Sequence, residues 1–226
     1  MIPHTEITTV ERVLEPEIMD GRAEAEAYAA ADFSDSNQWY VDELVARFPH
    51  RLSRLVDLGC GPADVPLRIA RAAGGVHITA VDGSAQMLRL ARGAVLAAGL
   101  AGRIRLEHGR LPDLALPERS FDAVLSKDML HHLPDPRVLW GEARRLARAG
   151  GAVFVMDLMR PDSPAAARAI VERVASREHP VLKEDFYNSL CAAFTPEEVR
   201  AQLESAGLPL RVEQVSDRHM LVSGTV

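Results

Sequence analysis

The pattern of apolar and polar positions changes near residue 50 and divides the chain into two parts. Residues 21–48 are rich in Ala and Glu, which favours helix. Five of the 11 aromatic residues fall in this part. They indicate either an apolar cover over a site or ordinary helix packing. After residue 50, short apolar runs alternate with segments of helical periodicity. The runs VDL, ITAV, AVL and AVFVM contain no polar alternation, which is typical of strands covered on both faces.

The alternation predicts a parallel sheet with helices on both faces. Strands are predicted at residues 52–59, 77–83, 103–109, 121–128 and 151–159, and helices at residues 62–75, 84–100, 136–150, 163–180 and 196–208. Thr195 is expected to cap the last of these helices, and Gly207 to end it. The final segments, RVEQVS and HMLVSG, alternate and predict an antiparallel hairpin. We therefore expect seven strands, five parallel and two in the closing hairpin.

Composition and charge narrow the class of protein. Of the 226 residues, 47% are hydrophobic and 26% charged, which is typical of a globular chain. The net charge of −6 is spread along the chain and argues against a nucleic-acid-binding surface. Cys60 and Cys191 form no CxxC motif, no apolar run approaches the ~18 residues of a membrane span, and the N-terminus lacks the order of a secretory signal. We expect a cytoplasmic protein without a membrane or nucleic-acid partner.

The string VDLGCGPAD carries the strongest chemical signal, because a strand here enters a glycine turn and then a helix. Gly59 and Gly61 allow a ligand to approach the backbone where a Cβ would intrude. The dinucleotide fingerprint GxGxxG needs a third glycine, but Asp64 stands at that position and would repel phosphate. The loop therefore argues against NAD or FAD. No GxxxxGK[ST] string occurs, which excludes a P-loop.

Asp82 ends the second predicted strand, about 20 residues after the glycine turn, where an acid typically accepts hydrogen bonds from ribose hydroxyls. The alternative is that Asp82 only caps the helix that begins near Ser84. Together with the glycine loop, the position favours a ribose-binding role.

Five strings in order resemble the motifs of class I S-adenosylmethionine-dependent methyltransferases, small-molecule branch: VDLGCGPADV, AVDGS, HGRLPDL, SFDAVLSKDMLHHLPDP and LARAGGAVFVMDLMRP. The resemblance implies a Rossmann-like methyltransferase domain over residues 51–226, with a substrate-side helical insertion at 160–195. Residues 1–50 are expected to form an N-terminal helical cover. It also implies S-adenosyl-L-methionine as cofactor, S-adenosyl-L-homocysteine as product and a small-molecule substrate, and it leaves a homodimer open.

The same resemblance implies the cofactor contacts. Asp57 is expected at the ammonium group and Asp82 at the ribose, with Gly59 and Gly61 under the methionine portion. The remaining implied contacts are Gly83, Met87, Arg110, Leu111 and Ser126. The family usually has an acid where Arg110 stands, so the backbone of Arg110 and Leu111 is left to contact adenine. Ser126 is expected to touch the ligand, and Lys127 to turn away or to pair with a carboxylate.

Candidate catalytic and substrate-binding residues follow the strand ends and the two less regular segments. His131 is a candidate general base, because its ordinary pKa lies near neutrality, or else a structural residue. Asp157 is a candidate for proton transfer or for pairing with Arg160, and Tyr28 and Tyr187 could offer ring faces to the sulfonium. The candidate catalytic residues are His131, Asp157 and Tyr187; the candidate substrate-binding residues are Asp32, Phe33, His132, Arg160 and Asn188. No metal site is expected.

Methyl transfer from a sulfonium is an in-line displacement, so positioning and desolvation supply most of the acceleration. A general base is needed only for a hydroxyl or a protonated amine, and the acceptor atom is therefore open among O, N, S and C. The alternatives are an RNA or protein methyltransferase, against which the acidic balance speaks, and a non-catalytic nucleoside-binding module.

Overall fold

A computed structural model describes residues 11–15, 20–176 and 178–226. A seven-stranded sheet has the order β3-β2-β1-β4-β5-β7-β6. Its strands are β1 (Arg54–Leu58), β2 (His77–Asp82), β3 (Ile104–His108), β4 (Phe121–Lys127), β5 (Ala147–Leu158), β6 (Arg211–Gln214) and β7 (His219–Thr225). The first five strands pair in parallel, and β7 pairs antiparallel with both β5 and β6. The predicted seven-stranded sheet with its closing hairpin is confirmed.

Helices occupy both faces of the sheet. They are α1 (Arg22–Ala30), α2 (Ser34–Arg47), α3 (Asp64–Ala72), α4 (Ala85–Ala97), α5 (Arg137–Leu146), α6 (Pro164–Val174), α7 (Pro180–Ala192) and α8 (Pro196–Ala206), with a 3-10 turn at Leu130–His132. The two large clusters of buried apolar side chains separate by alternation along the strands: Leu55 and Val56, for example, belong to opposite clusters. Among the described residues, none of the helices is long and apolar enough to cross a bilayer.

The boundary between α5 and β5 differs from the prediction. The periodic string was expected to stay helical through residue 150, but α5 ends at Leu146 and β5 begins at Ala147. Ala147 pairs with Phe121 of β4 before the register shifts at Ala123. Pairing with the neighbouring strand therefore overrides the helical propensity of this Ala- and Arg-rich stretch.

The N-terminal aromatic segment forms two helices with different surroundings. Tyr40 of α2 is fully buried, its hydroxyl donates to the Phe154 carbonyl oxygen at 2.9 Å, and its ring lies 4.9 Å from the Phe154 ring. Helix α2 therefore packs on the sheet as an ordinary core helix. Tyr28 of α1 instead contacts Phe33 at 4.9 Å between ring centroids, outside that core. Within residues 21–48, α1 and the connection to α2 remain candidates for a cover.

Strands β1, β2, β4 and β5 end at the same edge of the sheet, because they run in parallel. The chain order reverses between β1 and β4, and open α/β sheets bind ligands at this kind of switch point. The fold thus brings the glycine loop after β1, Asp82 at the end of β2 and the segment after β4 to one place.

Candidate functional site

Three adjoining cavities open at this edge. The sheet-edge cavity, about 120 Å³, is lined by Gly59, Gly61, Asp82 and the residues after β3. The loop cavity, about 410 Å³, adds Asp57 and the start of α3. The helix-lined cavity, about 340 Å³, lies between the α1–α2 connection, the 3-10 turn and helices α6 and α7. Tyr28 and Asp128 line all three, so the cavities meet at these two side chains.

The glycine loop requires its glycines for two separate reasons. Gly59 has φ +79°, and a Cβ added there would lie 2.8 Å from Cγ of Met129. Gly61 has φ +53°, and the ring of Tyr28 lies 3.9 Å from the corresponding added Cβ. Positive φ is costly for residues with a Cβ. Gly59 and Gly61 both line the sheet-edge and loop cavities. Met129 packs against Gly59, and the ring of Tyr28 lies near Gly61.

Asp82 links the second strand to this loop. One carboxylate oxygen accepts from the Gly61 amide at 2.7 Å and the other from the Ser84 amide at 2.8 Å. Ser84 itself caps α4, because its hydroxyl accepts from the Met87 amide at 3.1 Å. Burial raises the pKa of Asp82, and these backbone donors oppose the shift. Asp82 thus holds the loop in place and also lines the sheet-edge cavity.

Asp57 is a buried carboxyl group at the wall of the loop cavity. Burial, and next the charge of Asp82, raise the pKa of Asp57 to about 7, although Lys127 works in the opposite direction. Lys127 forms an ion pair with Asp128, which agrees with the expectation that it pairs with a carboxylate. It also lines both the sheet-edge and loop cavities. A cationic ligand group beside Asp57 would relieve the cost of ionising it.

Asp128 was expected after the fourth strand, at the mouth of the site, but it was given no role there. It follows β4 and has φ +54°, a conformation that residues with a Cβ adopt rarely. Its Oδ2 pairs with Lys127, whereas its shielded Oδ1 has no hydrogen-bond partner among the described residues. An unsatisfied buried carboxylate oxygen is uncommon and indicates a functional position. The sequence signal that could have indicated this role is the position of Asp128 directly after a central strand.

Asp157 makes three contacts, two of them to the segment after β4. Its Oδ1 lies 2.6 Å from Nδ1 of His131 and accepts from the Leu158 amide at 2.9 Å, and its Oδ2 accepts from the Leu130 amide at 2.7 Å. Burial alone would lower the pKa of His131, but the carboxylates of Asp157, Glu15 and Asp128 outweigh it and raise this pKa. The contact with Asp157 holds the ring of His131 in one orientation in the wall of the helix-lined cavity.

The N-terminal residues 11–15 bind beside this turn, which no local sequence pattern announced. The Arg12 guanidinium donates to carbonyl oxygens of Ala192, His131 and Leu133 at 2.6, 2.8 and 2.9 Å. Oε1 of Glu15 lies 3.0 Å from Nδ1 of His132 and 3.4 Å from Nε2 of His131. These contacts join residues more than 115 positions apart, so only the folded chain reveals them.

Most of the predicted site residues come together. The sheet-edge or loop cavity is lined by Tyr28, Asp57, Gly59, Gly61, Asp82, Gly83, Met87, Arg110 and Leu111. The helix-lined cavity is lined by Asp32, Phe33, His131 and His132, and Asp157 stands behind His131. The roles assigned to these residues stay predictions.

Besides Asp157, four predicted residues do not line any of the three cavities. Ser126 is fully buried, and its hydroxyl donates to the Leu58 carbonyl oxygen at 2.9 Å. Arg160 pairs with Glu198 at 2.5 Å, not with Asp157, and donates to the Ala193 carbonyl oxygen. The Tyr187 ring lies 4.3 Å from the Arg168 guanidinium carbon, and Asn188 is exposed. The side chains of Ser126, Arg160 and Tyr187 therefore contact neighbouring elements of the fold.

Comparisons with known proteins agree with this geometry. Residues 56–155 match the family model described as "Methyltransferase domain". The chain is 30% identical over 189 residues to 27-O-demethylrifamycin SV methyltransferase of Amycolatopsis mediterranei, covering 83% of this chain and 66% of that one. It is 30% identical to ubiquinone biosynthesis O-methyltransferase of Xanthomonas axonopodis, covering 75% and 68%. The chain spans between 48% and 69% of the length of such curated relatives.

A solved structure extends the likeness to the whole fold. A putative S-adenosyl-L-methionine-dependent methyltransferase from Methanococcus maripaludis aligns with a TM-score of 0.73 at 16% identity. The alignment covers 95% of this chain and 98% of that one. The described sheet and helices therefore share the fold of that structure.

Proposed function

The chain belongs to the class I S-adenosylmethionine-dependent methyltransferases, and from that premise we propose that it transfers a methyl group from S-adenosylmethionine to a hydroxyl oxygen of a small molecule. The observation that carries the proposal is the meeting of the three cavities at Tyr28 and Asp128. A cofactor in the sheet-edge and loop cavities would present its sulfonium methyl to an acceptor in the helix-lined cavity.

The residues present suit this cofactor. The sheet-edge cavity combines Asp82 with apolar side chains of Met87 and Leu111, which suits a ribose and an adenine ring. The loop cavity offers Asp57 to the ammonium group, and Gly59 and Gly61 line the same cavity. Tyr28 and Asp128, which line all three cavities, would lie beside the positive charge on sulfur. When bound, the cofactor supplies the methyl group and a good leaving group.

The chain's own residues would position the acceptor and handle its proton. Asp32, Phe33 and His132 contribute to the wall of the helix-lined cavity, where the acceptor would bind. A hydroxyl must lose its proton as the methyl carbon forms a bond to oxygen, and His131, oriented by Asp157, is the nearby group suited to that role. The names of the two relatives, both O-methylating enzymes, support a hydroxyl acceptor.

An acceptor panel tests the proposal. The full chain is incubated with methyl-labelled S-adenosylmethionine and hydroxylated aromatic and polyketide-type compounds, and both products are followed by mass spectrometry. We expect labelled methyl on one acceptor class together with an equal amount of S-adenosylhomocysteine. Methyl transfer to RNA or protein alone would overturn the small-molecule proposal, and cofactor binding without turnover on any acceptor class would favour the non-catalytic alternative.

A further inference from the structure

One side-chain cluster in the described residues combines His131 and His132 with Glu15, which the methyl-transfer proposal does not use. Glu15, His131 and His132 each offer a ligand atom, and these atoms all lie within 4.8 Å of one another. The cluster belongs to two distant parts of the chain. Glu15 lies in residues 11–15, here called the N-terminal strap, and both histidines lie in the 3-10 turn after β4. We propose that it forms a three-ligand site for a zinc-like divalent transition-metal ion.

The two separations that join Glu15 to the histidines agree with a tetrahedral ion. Zn²⁺ binds histidine nitrogen and carboxylate oxygen at about 2.0–2.2 Å, which places ligand atoms about 3.3 Å apart around it. Oε1 of Glu15 lies 3.0 Å from Nδ1 of His132 and 3.4 Å from Nε2 of His131. Two histidines and one glutamate also form a recurrent ligand set of catalytic zinc sites, which keep a fourth position for water or substrate.

Neighbouring side chains hold two of the three ligands as outer-shell groups do. Nδ1 of His131 is bound by Asp157 at 2.6 Å, so its Nε2 is the nitrogen directed to the cluster. Carboxylate–histidine pairs of this kind fix the tautomer of metal-binding histidines. Ser189 donates its hydroxyl to Glu15 at 3.1 Å, which fixes the carboxylate.

The ion would face the proposed acceptor space. His131 and His132 both line the helix-lined cavity, and the Glu15 side chain is only 11% exposed. With the ion bound, Nε2 of His131 would be a ligand and could not accept the proton. A hydroxyl in the fourth position would instead lose its proton more readily because a bound ion lowers the pKa of its oxygen ligand. The site stands on the geometry of these residues and does not require that S-adenosylmethionine binds.

Calorimetric titration of the chelator-treated, tag-free chain with zinc chloride tests the site. We expect one ion per chain, and we expect Glu15→Gln and His132→Ala each to weaken zinc binding by at least about 10- to 100-fold, the range reached even by outer-shell changes. Glu11→Gln, in the same strap, and His50→Ala remove an exposed carboxylate and an exposed imidazole, so they serve as matched controls that should bind as the wild type does.

Cobalt substitution of the wild-type chain gives a second measurement that needs no variant to fold. We expect the intense visible bands of a four- or five-coordinate ion with nitrogen ligands. A spectrum of weakly held octahedral cobalt, or zinc affinity unchanged in folded Glu15 and His132 variants, overturns the ion site. If S-adenosylhomocysteine still binds in that case, only the ion proposal fails; if zinc binds and S-adenosylhomocysteine does not, only the proposed function fails.

Discussion

Asp128 illustrates how much the site depends on single residues. The turn after β4 holds it at φ +54°, with one carboxylate oxygen paired to Lys127 and the other without a partner among the described residues. Strain and unsatisfied polar atoms reduce stability and persist where the surrounding structure imposes them. Here they place a negative charge where the three cavities meet, which suits a cationic methyl donor.

Asp57 predicts a pH-dependent stability of the ligand-free protein. Its pKa is raised to about 7 in the fold, mainly by burial, against about 3.9 in an unfolded chain. Between about pH 4 and pH 7 the folded state binds a proton that the unfolded state releases. The contribution of Asp57 to the free energy of unfolding therefore falls by up to roughly 1 kcal/mol per pH unit as the pH rises through this window, and is constant above it.

Urea unfolding at pH 5 and pH 8 measures this effect. We expect Asp57→Asn to gain stability relative to the wild type between pH 5 and pH 8, because the amide does not ionise. Asp113→Asn, at an exposed position, is the control and should show no such change. If the free energies of unfolding of the wild type and Asp57→Asn differ by the same amount at both pH values, ionisation of Asp57 does not destabilise the folded state.

Asp82 predicts a loss of cofactor affinity on truncation. Its carboxylate holds the Gly61 and Ser84 amides and lines the sheet-edge cavity, so Asp82→Ala removes both the ribose acceptor and the support of the loop. We expect S-adenosylhomocysteine to bind about 2 kcal/mol more weakly, roughly 30-fold, by calorimetry. Asp113→Ala should bind normally, and unchanged affinity in folded Asp82→Ala would contradict the ribose role.

At the scale of elements, the loop after β1 combines backbone strain with close packing. Gly59 and Gly75 have nearly equal φ values, +79° and +81°, but an added Cβ meets Met129 at 2.8 Å in the first case and open space in the second. Comparing the two alanine variants therefore separates the cost of positive φ from the cost of crowding.

We expect Gly75→Ala to lower the free energy of unfolding by roughly 1–2 kcal/mol, from positive φ alone. Gly59→Ala should cost about 1–3 kcal/mol more, from the clash, and weaken cofactor binding as the loop shifts. Met129→Ala in the Gly59→Ala background should recover part of this loss. Equal destabilisation by the two alanine variants in chemical unfolding would refute the crowding argument.

Elements were predictable from the sequence where local pattern and tertiary pairing agree. The buried strands and the helix from Pro196 to Ala206, with its Thr195 cap and Gly207 stop, follow from apolar runs and terminal residues. The start of β5 does not, because pairing of Ala147 with Phe121 takes over a stretch that would otherwise continue α5. The cavity-lining connection near Phe33 was singled out only by its composition.

At the scale of the whole molecule, the sheet edge was predictable and the strap was not. The glycine loop directly follows β1, and Asp82 ends the neighbouring strand β2. The spacing of these motifs in the sequence therefore places Gly59, Gly61 and Asp82 together. Glu15 reaches His131 and His132 across more than 110 residues, and no periodicity encodes such a contact. Ser126 and Arg160 were expected at ligand positions, but strand and helix contacts occupy both side chains.

The proposed cofactor site is thus built from local motifs, and the proposed acceptor site beside it is built from distant segments. Calorimetric titration of the full chain with S-adenosylhomocysteine tests the central claim most directly, because it needs no knowledge of the acceptor. We predict one equivalent bound with an affinity on the order of micromolar and a matching rise in melting temperature. A titration with neither heat nor thermal shift would contradict the account.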